Sequence, residues 1–375
     1  MNISLTKVFL FIAVVSAIVG ALSVTKTLSQ IDKKIADSKE MARPANVSLT
    51  KITVLGCADC FNVDEAVAIF KKQNVSVGEE KTLIFNTPEA NAIVSQLGVK
   101  RLPTYIVTGE ASKKSLEGFV NNNGEIKNNT FVFTKVTPLF IDSESKKQIG
   151  KVTVTYLTDN SCAQCIGSKH TVDAFKKVGV KISEEKEVAW NSVKGQEIIN
   201  KYKIIKLPTF LLSSDISYYP SVSDIWPKFG TKETDGTYVA RQIPLPYRDL
   251  EKRKIVGLVD VIYLIDSTCS DCYKAQEVHK DILTKGFGVV VRSERTVDIN
   301  TPFGKELVNK YKITQVPTVL ISPEVSEYVN LKSIWNQIGT VESNDWYVFR
   351  QSTKLGGMIY KDLTSNEIIR PQQQP

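Results

Sequence analysis

The pattern Cys-x-x-Cys occurs three times in this chain, at Cys57/Cys60, Cys162/Cys165 and Cys269/Cys272, and accounts for all six cysteines. A Pro-Thr follows each pair at nearly constant distance: Pro103, Pro208 and Pro317 lie 43, 43 and 45 residues after the second cysteine. One such pair is a weak signal. Three, each with a proline at the same offset, read as one module written three times. That repeat sets both the number of folding units and the place in each where chemistry is expected.

With 375 residues, the chain is long enough for two or three domains that each bury a core. A composition of 42% hydrophobic and 23% charged residues is that of a globular protein. The net charge of +8 comes from lysines spread along the chain, without an arginine-rich run, so nucleic acid is not an expected partner. A weak attraction to anionic lipid headgroups fits the charge as well. Residues 5–24 are almost entirely apolar, with Lys7 and Lys26 flanking Val8–Val24, and are read as a transmembrane anchor. A cleaved signal peptide ending near Val19-Gly20-Ala21 is the alternative, and the body is then secreted. Residues 25–45 are read as a stalk or linker, with Leu28, Ile31 and Ile35 at helical spacing. More lysines follow the span than precede it, which favours a cytoplasmic body. The absence of any unpaired cysteine argues the other way, and an extracytoplasmic body is expected.

Three segments align without gaps: Asn86 to Pro103, Asn191 to Pro208 and Asn300 to Pro317. The Asn reads as a helix N-cap with proline at an early helical position. A Glu and a basic neighbour stand six residues earlier (Glu80-Lys81, Glu185-Lys186, Glu294-Arg295) and read as surface pairs at strand ends. Each module therefore reads strand, Cys-x-x-Cys, helix, strand, helix, Pro, strand, then a hairpin-like tail. The tails of the second and third copies match from Trp226 and Trp335, read as core, through Tyr247-Arg-Asp-Leu and Tyr360-Lys-Asp-Leu. The first copy's link from strand to motif reads as shorter, Leu55-Gly56-Cys57 against Leu157 to Cys162.

These residues resemble the thioredoxin superfamily. The resemblance covers about residues 48–365 and implies an α/β fold of three tandem thioredoxin-like domains after an N-terminal transmembrane helix, spanning 46–145, 146–252 and 253–365 with a flexible tail at 366–375. Leu102-Pro103-Thr104, Leu207-Pro208-Thr209 and Val316-Pro317-Thr318 are similar to the family's cis-proline loop, which implies substrate-binding residues there. The chain departs from the family in its dipeptides, Ala58-Asp59, Ala163-Gln164 and Ser270-Asp271. The position of the family's buried acid holds Lys51, Tyr156 and Tyr263.

The resemblance implies a thiol–disulfide oxidoreductase. Its partners are protein thiols and disulfides and a further redox protein, and no cofactor or metal is expected. Cys57, Cys162 and Cys269, expected in the first turn of a helix, are the attacking residues, and Cys60, Cys165 and Cys272 resolve the mixed disulfide. Asp59 and Asp271 disfavour a neighbouring thiolate, so the first and third sites are expected to be more reducing than the second. His170 and His279 read as surface residues. The alternatives are a binding scaffold stapled by inert disulfides and, with a pair left over, a zinc protein. Asn46, Asn74 and Asn128 are acceptor sequences for glycosylation in a host that performs it.

Overall fold

The structure, a computed structural model, describes residues 30–370. The span expected at 5–24 and the last five residues of the tail lie outside them. No described helix is long and apolar enough to cross a membrane. The chain divides into two compact units between Lys151 and Val152, the second holding two of the three modules.

In the first unit, helix α1 (residues 30–42) exposes Ile31, Ile35 and Met41 and ends where the Asn74 amide donates to the carbonyls of Met41, Ala42 and Arg43. The Asn74 amide is thereby committed to this cap. The sheet of the first module has the order β2-β1-β4-β6-β5, from β1 (Ala45–Thr53), β2 (Val75–Ile84), β4 (Thr104–Gly109), β5 (Gly124–Lys127) and β6 (Thr130–Phe133). β1 and β2 are parallel, with α2 (Val63–Lys71) crossing between them, and the other neighbours are antiparallel. Strand alternation divides the core. Val47, Leu49, Tyr105, Val107, Phe131 and Phe133 pack with Phe70 of α2. Ile52, Ile106 and Val132 face the opposite way, toward Ala90, Val94 and Leu97 of α3 (Pro88–Leu97). A short helix, α4 (Glu117–Asn123), joins β4 to β5 and closes the α2 side. A second, smaller sheet pairs β3 (Arg101–Leu102), just before Pro103, with β7 (Phe140–Asp142) and β8 (Gln148–Ile149).

The second unit repeats this plan twice. Its first copy comprises β9 (Val152–Thr158) to β16 (Lys254–Val256), with α5 (Lys169–Lys177), α6 (Val193–Tyr202) and the short α7 (Pro220–Ser223). The next comprises β17 (Leu258–Ile265) to β24 (Glu367–Ile369), with α8 (Ala275–Asp281), α9 (Pro302–Tyr311) and α10 (Val329–Ile334). The first copy's five-stranded sheet has the order β10 (Ile182–Ala189), β9, β12 (Thr209–Leu212), β14 (Tyr238–Ala240), β13 (Gly230–Lys232), and its small sheet β11 (Lys206–Leu207), β15 (Tyr247–Asp249), β16. The next copy's orders are β18 (Val290–Asp298), β17, β20 (Thr318–Ile321), β22 (Tyr347–Phe349), β21 (Gly339–Val341), and β19 (Gln315–Val316), β23 (Tyr360–Asp362), β24. Mixed α/β with three similar sheet units fits tandem thioredoxin-like domains, in the element order the sequence implied. Trp226 and Trp335 are core, each 2% exposed, with the indole N–H donating to the carbonyl of Thr231 or Thr340.

Three expectations shift in detail. The helix caps are Thr87, Ser192 and Thr301, one residue beyond the expected Asn. Their hydroxyls accept from the backbone N–H three residues on, with Pro88 and Pro302 in the first turn. Strand register also removes the shorter link in the first copy. Ile52, Leu157 and Leu264 each lie opposite the Thr that follows the proline (Thr104, Thr209, Thr318), and each stands five residues before its first cysteine. The three links are equally long; only their residues differ. Finally, Glu80, Glu185 and Glu294 do not pair with the basic residue beside them, because adjacent strand residues point to opposite faces. They reach Lys71, Lys176 and Lys280 on the helix after the motif, and Tyr156 and Tyr263 donate to Glu185 and Glu294 at 2.8 and 3.1 Å. Each Glu thus ties that helix to the sheet.

Candidate functional site

Every Cys-x-x-Cys pair is closed as a disulfide, with Cα–Cα distances of 5.3, 5.3 and 5.4 Å. The pairs are not in the first turn of a helix, as the sequence suggested. Each forms a turn in which the N–H of the second cysteine donates to the carbonyl of the first, at 3.3, 3.3 and 3.4 Å. The helices start later, at Val63, Lys169 and Ala275. Since a helix dipole fades within the first turn, these sulfurs depend on other donors.

In each module the strand that leads to the motif pairs with the strand that follows the proline. The bonds Leu102–Pro103, Leu207–Pro208 and Val316–Pro317 are cis, as the resemblance implied. Leu102, Leu207 and Val316 are fully buried. The hydroxyls of Thr104, Thr209 and Thr318 donate to the carbonyls of Phe133, Ala240 and Phe349 on the neighbouring strand, at 2.7, 2.8 and 2.7 Å. The Thr side chains are therefore occupied within the sheet, and what these loops can offer a substrate is backbone.

The small sheet connects loop and motif. In the second module Arg248 of β15, opposite Leu207, donates to Asp159 at 2.6 Å and to the Ser161 hydroxyl at 2.6 Å. Asp159 is buried three residues before Cys162 and also accepts from the Ser161 N–H and hydroxyl and from the Trp190 indole. Burial alone raises a carboxyl pKa, but the hydrogen bonds from Ser161 and Arg248 outweigh it, and the Asp159 carboxyl is held below its ordinary value. The third module repeats this with Lys361, opposite Val316, donating to Asp266 at 2.7 Å. Thr268 and Asn300 supply the remaining donors, and the Asp266 carboxyl is likewise held low against its burial.

The first module has neither charge. Val54 stands where the others have Asp159 and Asp266, and Ile141, opposite Leu102, stands where they have Arg248 and Lys361. Both pack against the core on the α3 side, so an apolar pair replaces an ion pair. Instead Gln148, across the hairpin from Ile141, donates from Nε2 to Cys57 Sγ at 2.9 Å. The residues facing Arg248 and Lys361 across their hairpins are Ile255 and Ile368.

The third site has one further feature. The Tyr273 hydroxyl, next to Cys272, donates to the carbonyl of Pro317 at 2.6 Å and lies 2.9 Å from His279 Nε2. A hydroxyl has one proton, and here it goes to the Pro317 carbonyl, so His279 Nε2–H is the donor to the Tyr273 oxygen. His279 is 3% exposed, which corrects the surface reading, and burial lowers its pKa to about 4. His170 is exposed. Asp271 is exposed and paired with Arg370, which offsets part of its charge beside the third motif. Access also differs: Cys162 and Cys269 are 6% and 7% exposed, whereas Cys57, Cys60, Cys165 and Cys272 are partly exposed.

The sequence reading missed Asp159, Asp266, Arg248, Lys361 and Gln148. The first four left a trace in the repeated Asp three residues before cysteine and in the paired Tyr-Arg-Asp and Tyr-Lys-Asp tails. Gln148 left none, because its equivalents are isoleucines.

No protein-family model matches the chain, nor does any curated protein sequence. Among solved structures, the NTD_N/C domain of alkylhydroperoxide reductase AhpF from Enterococcus faecalis is similar over 46% of this chain and 83% of its own, at 19% identity and a TM-score of 0.15. ERdj5 (form II) is similar over 75% of this chain, at 11% identity and a TM-score of 0.15, and the match spans 38% of that longer chain. Human ERp44 (form II) is similar over 76% of this chain and 77% of its own, at 11% identity and a TM-score of 0.14. At these scores the likenesses carry no argument, and function rests on the geometry of the sites.

Proposed function

We propose that the protein is a thiol–disulfide oxidoreductase of the thioredoxin superfamily, anchored by residues 5–24 with its three domains on the extracytoplasmic side. The observation that carries the reading is the same constellation built three times: a disulfide-closed Cys-x-x-Cys turn, joined through a small sheet to a cis-proline loop. In the reduced protein the first cysteine attacks one sulfur of a substrate disulfide as its thiolate. That S–S bond breaks, and the departing sulfur leaves as a thiolate that takes a proton from water. The second cysteine, deprotonated in turn, attacks the mixed disulfide. It closes the Cys-x-x-Cys bond and releases the other substrate sulfur, so two electrons pass to the substrate. An external dithiol returns the pair to the reduced form. Exported proteins and the protein's own sites are the proposed exchange partners.

A second reading, a binding scaffold with structural disulfides, draws support at the second and third sites from the burial of Cys162 and Cys269. Reduction of a model protein disulfide by dithiothreitol, with Cys57, Cys162 and Cys269 replaced by Ser in turn, separates the two. Loss of rate in at least one variant supports exchange. Full activity in all three, and in the triple variant, rejects it.

A further inference from the structure

The hairpin of the small sheet sends one polar side chain toward the motif in every module, but not from the same strand and not to the same target. Arg248 and Lys361 stand on the first hairpin strand and end on carboxylates. Gln148 stands on the second strand and ends on a sulfur. The exchange is coordinated: the module that gains Gln148 has Val54 and Ile141 in place of the ion pair, with isoleucine on whichever hairpin strand lacks the polar group. Cys57 is also the one first cysteine among the three that is partly exposed.

We propose that Gln148 is a catalytic residue of the first site, the amide donor that holds the Cys57 sulfur as the attacking thiolate. The inference rests on the oxidoreductase reading, which makes Cys57 a nucleophile. An N–H aimed at sulfur strengthens when that sulfur becomes an anion, since hydrogen bonds to charged acceptors are about twice as strong as neutral ones. It therefore favours the deprotonated form, as any donor to the charged state does. With the helix N-terminus beyond Cys60, Gln148 takes the place of the helix dipole. The second and third sites lack this donor and instead carry a fixed buried carboxylate, neutralised by its cation. The first site is then the one tuned for nucleophilic attack, and the acidic Asp59 acts against a local donor rather than alone.

The test is peptide-resolved alkylation of the full-length, dithiothreitol-reduced protein as a function of pH, read by mass spectrometry at Cys57. Gln148→Leu is expected to raise the Cys57 pKa by about one unit, slowing alkylation near neutral pH by about tenfold. Cys162 and Cys269 should be unchanged. Gln148→Glu is expected to raise it further, and Gln148→Lys to lower it below the parent. This ordering by charge distinguishes a donor effect from loss of local structure, which would move all three the same way. A Cys57 titration unchanged in Gln148→Leu, or shifted alike in all three variants, overturns the proposal. Because alkylation needs no substrate disulfide, it reads the thiolate even if the exchange assay fails, so the two failures are distinguishable.

Discussion

At single residues, equivalent positions in the three modules act as natural substitutions. Tyr105 is fully buried, and its hydroxyl has no hydrogen-bond partner. The second module has Phe210 at the same register position, facing Tyr156 as Tyr105 faces Lys51. Burying an unpaired hydroxyl costs about 1–3 kcal/mol, so Tyr105→Phe is expected to be neutral or to raise stability by up to about 1 kcal/mol in denaturant unfolding. His279 is the reverse case: Val67 and Val172 occupy its place, seven residues after the second cysteine. Its folded-state pKa is depressed from 6.5 to about 4. The unfolded chain therefore binds a proton in that interval that the folded chain does not, and stability falls as pH drops through it. The protection of α8 amides against hydrogen exchange, taken relative to their intrinsic rates, should fall on acidification across this window, and His279→Val should remove that dependence. An unchanged pH response in the variant would count against it.

The buried ion pairs also act at this scale. Asp159 has a fully buried side chain, and removing one partner of such a pair leaves an uncompensated charge. Arg248→Met is expected to destabilise the second module by about 3 kcal/mol, with Asp159→Asn in the same chain recovering part of the loss. Equal stability of the single and double variants would show that the pair is not coupled. Because the Asp159 carboxyl pKa is depressed in the fold, the stabilisation is present above the ordinary Asp range and lost as pH falls below it.

At the level of elements, the same few devices recur. A Thr or Ser caps the helix that leads into the proline loop, and an arginine closes its far end in two modules. Arg241 donates to the carbonyls of Tyr202 and Lys203, and Arg350 to those of Tyr311 and Lys312. In the first module Lys127 donates to the Leu97 carbonyl instead. Thr301→Ala should cost about 1 kcal/mol, read as a lowered denaturation midpoint with unchanged slope. The helix's third residue is more constrained. A Cβ at Gly304 would lie 2.0 Å from the Asp298 carbonyl oxygen, so the turn there requires glycine. The first module carries Ala90 at this position, so its turn differs. Propensity and capping were legible in the sequence because they act within a few residues. The offset of the cap by one residue was not, because Asn and Thr are both good caps and only the backbone path chooses between them.

For the whole molecule, the consequence is that three sites of one ancestry in pattern are not equivalent in environment. Composition read around the cysteines separated two acidic sites from one neutral site. The structure separates one amide-supported, accessible site from two with buried carboxylates. Redox titration of the full chain, resolved by peptide, discriminates the readings. Thiolate stabilisation favours the reduced form, so Gln148→Leu should make the first site more reducing while leaving the other two in place. Removal of residues 1–29 is expected to release the protein from membranes without loss of exchange activity.

The sequence by itself determined the count of modules, the alternation of strands and helices, the disulfide-bonding range of the cysteines and the place of the cis-prolines. The first three follow from local spacing or from a pattern repeated three times; that the repeated prolines are cis was implied by the resemblance to the thioredoxin superfamily. Only the tertiary structure decided what surrounds each sulfur. The side chains that reach the motifs come from hairpins 87 to 95 residues away in sequence, and a hydrogen bond near 3 Å depends on strand register that no local pattern encodes. Val54 and Ile141 are ordinary core residues, and Gln148 looks like a surface one until the small sheet brings its amide to Cys57.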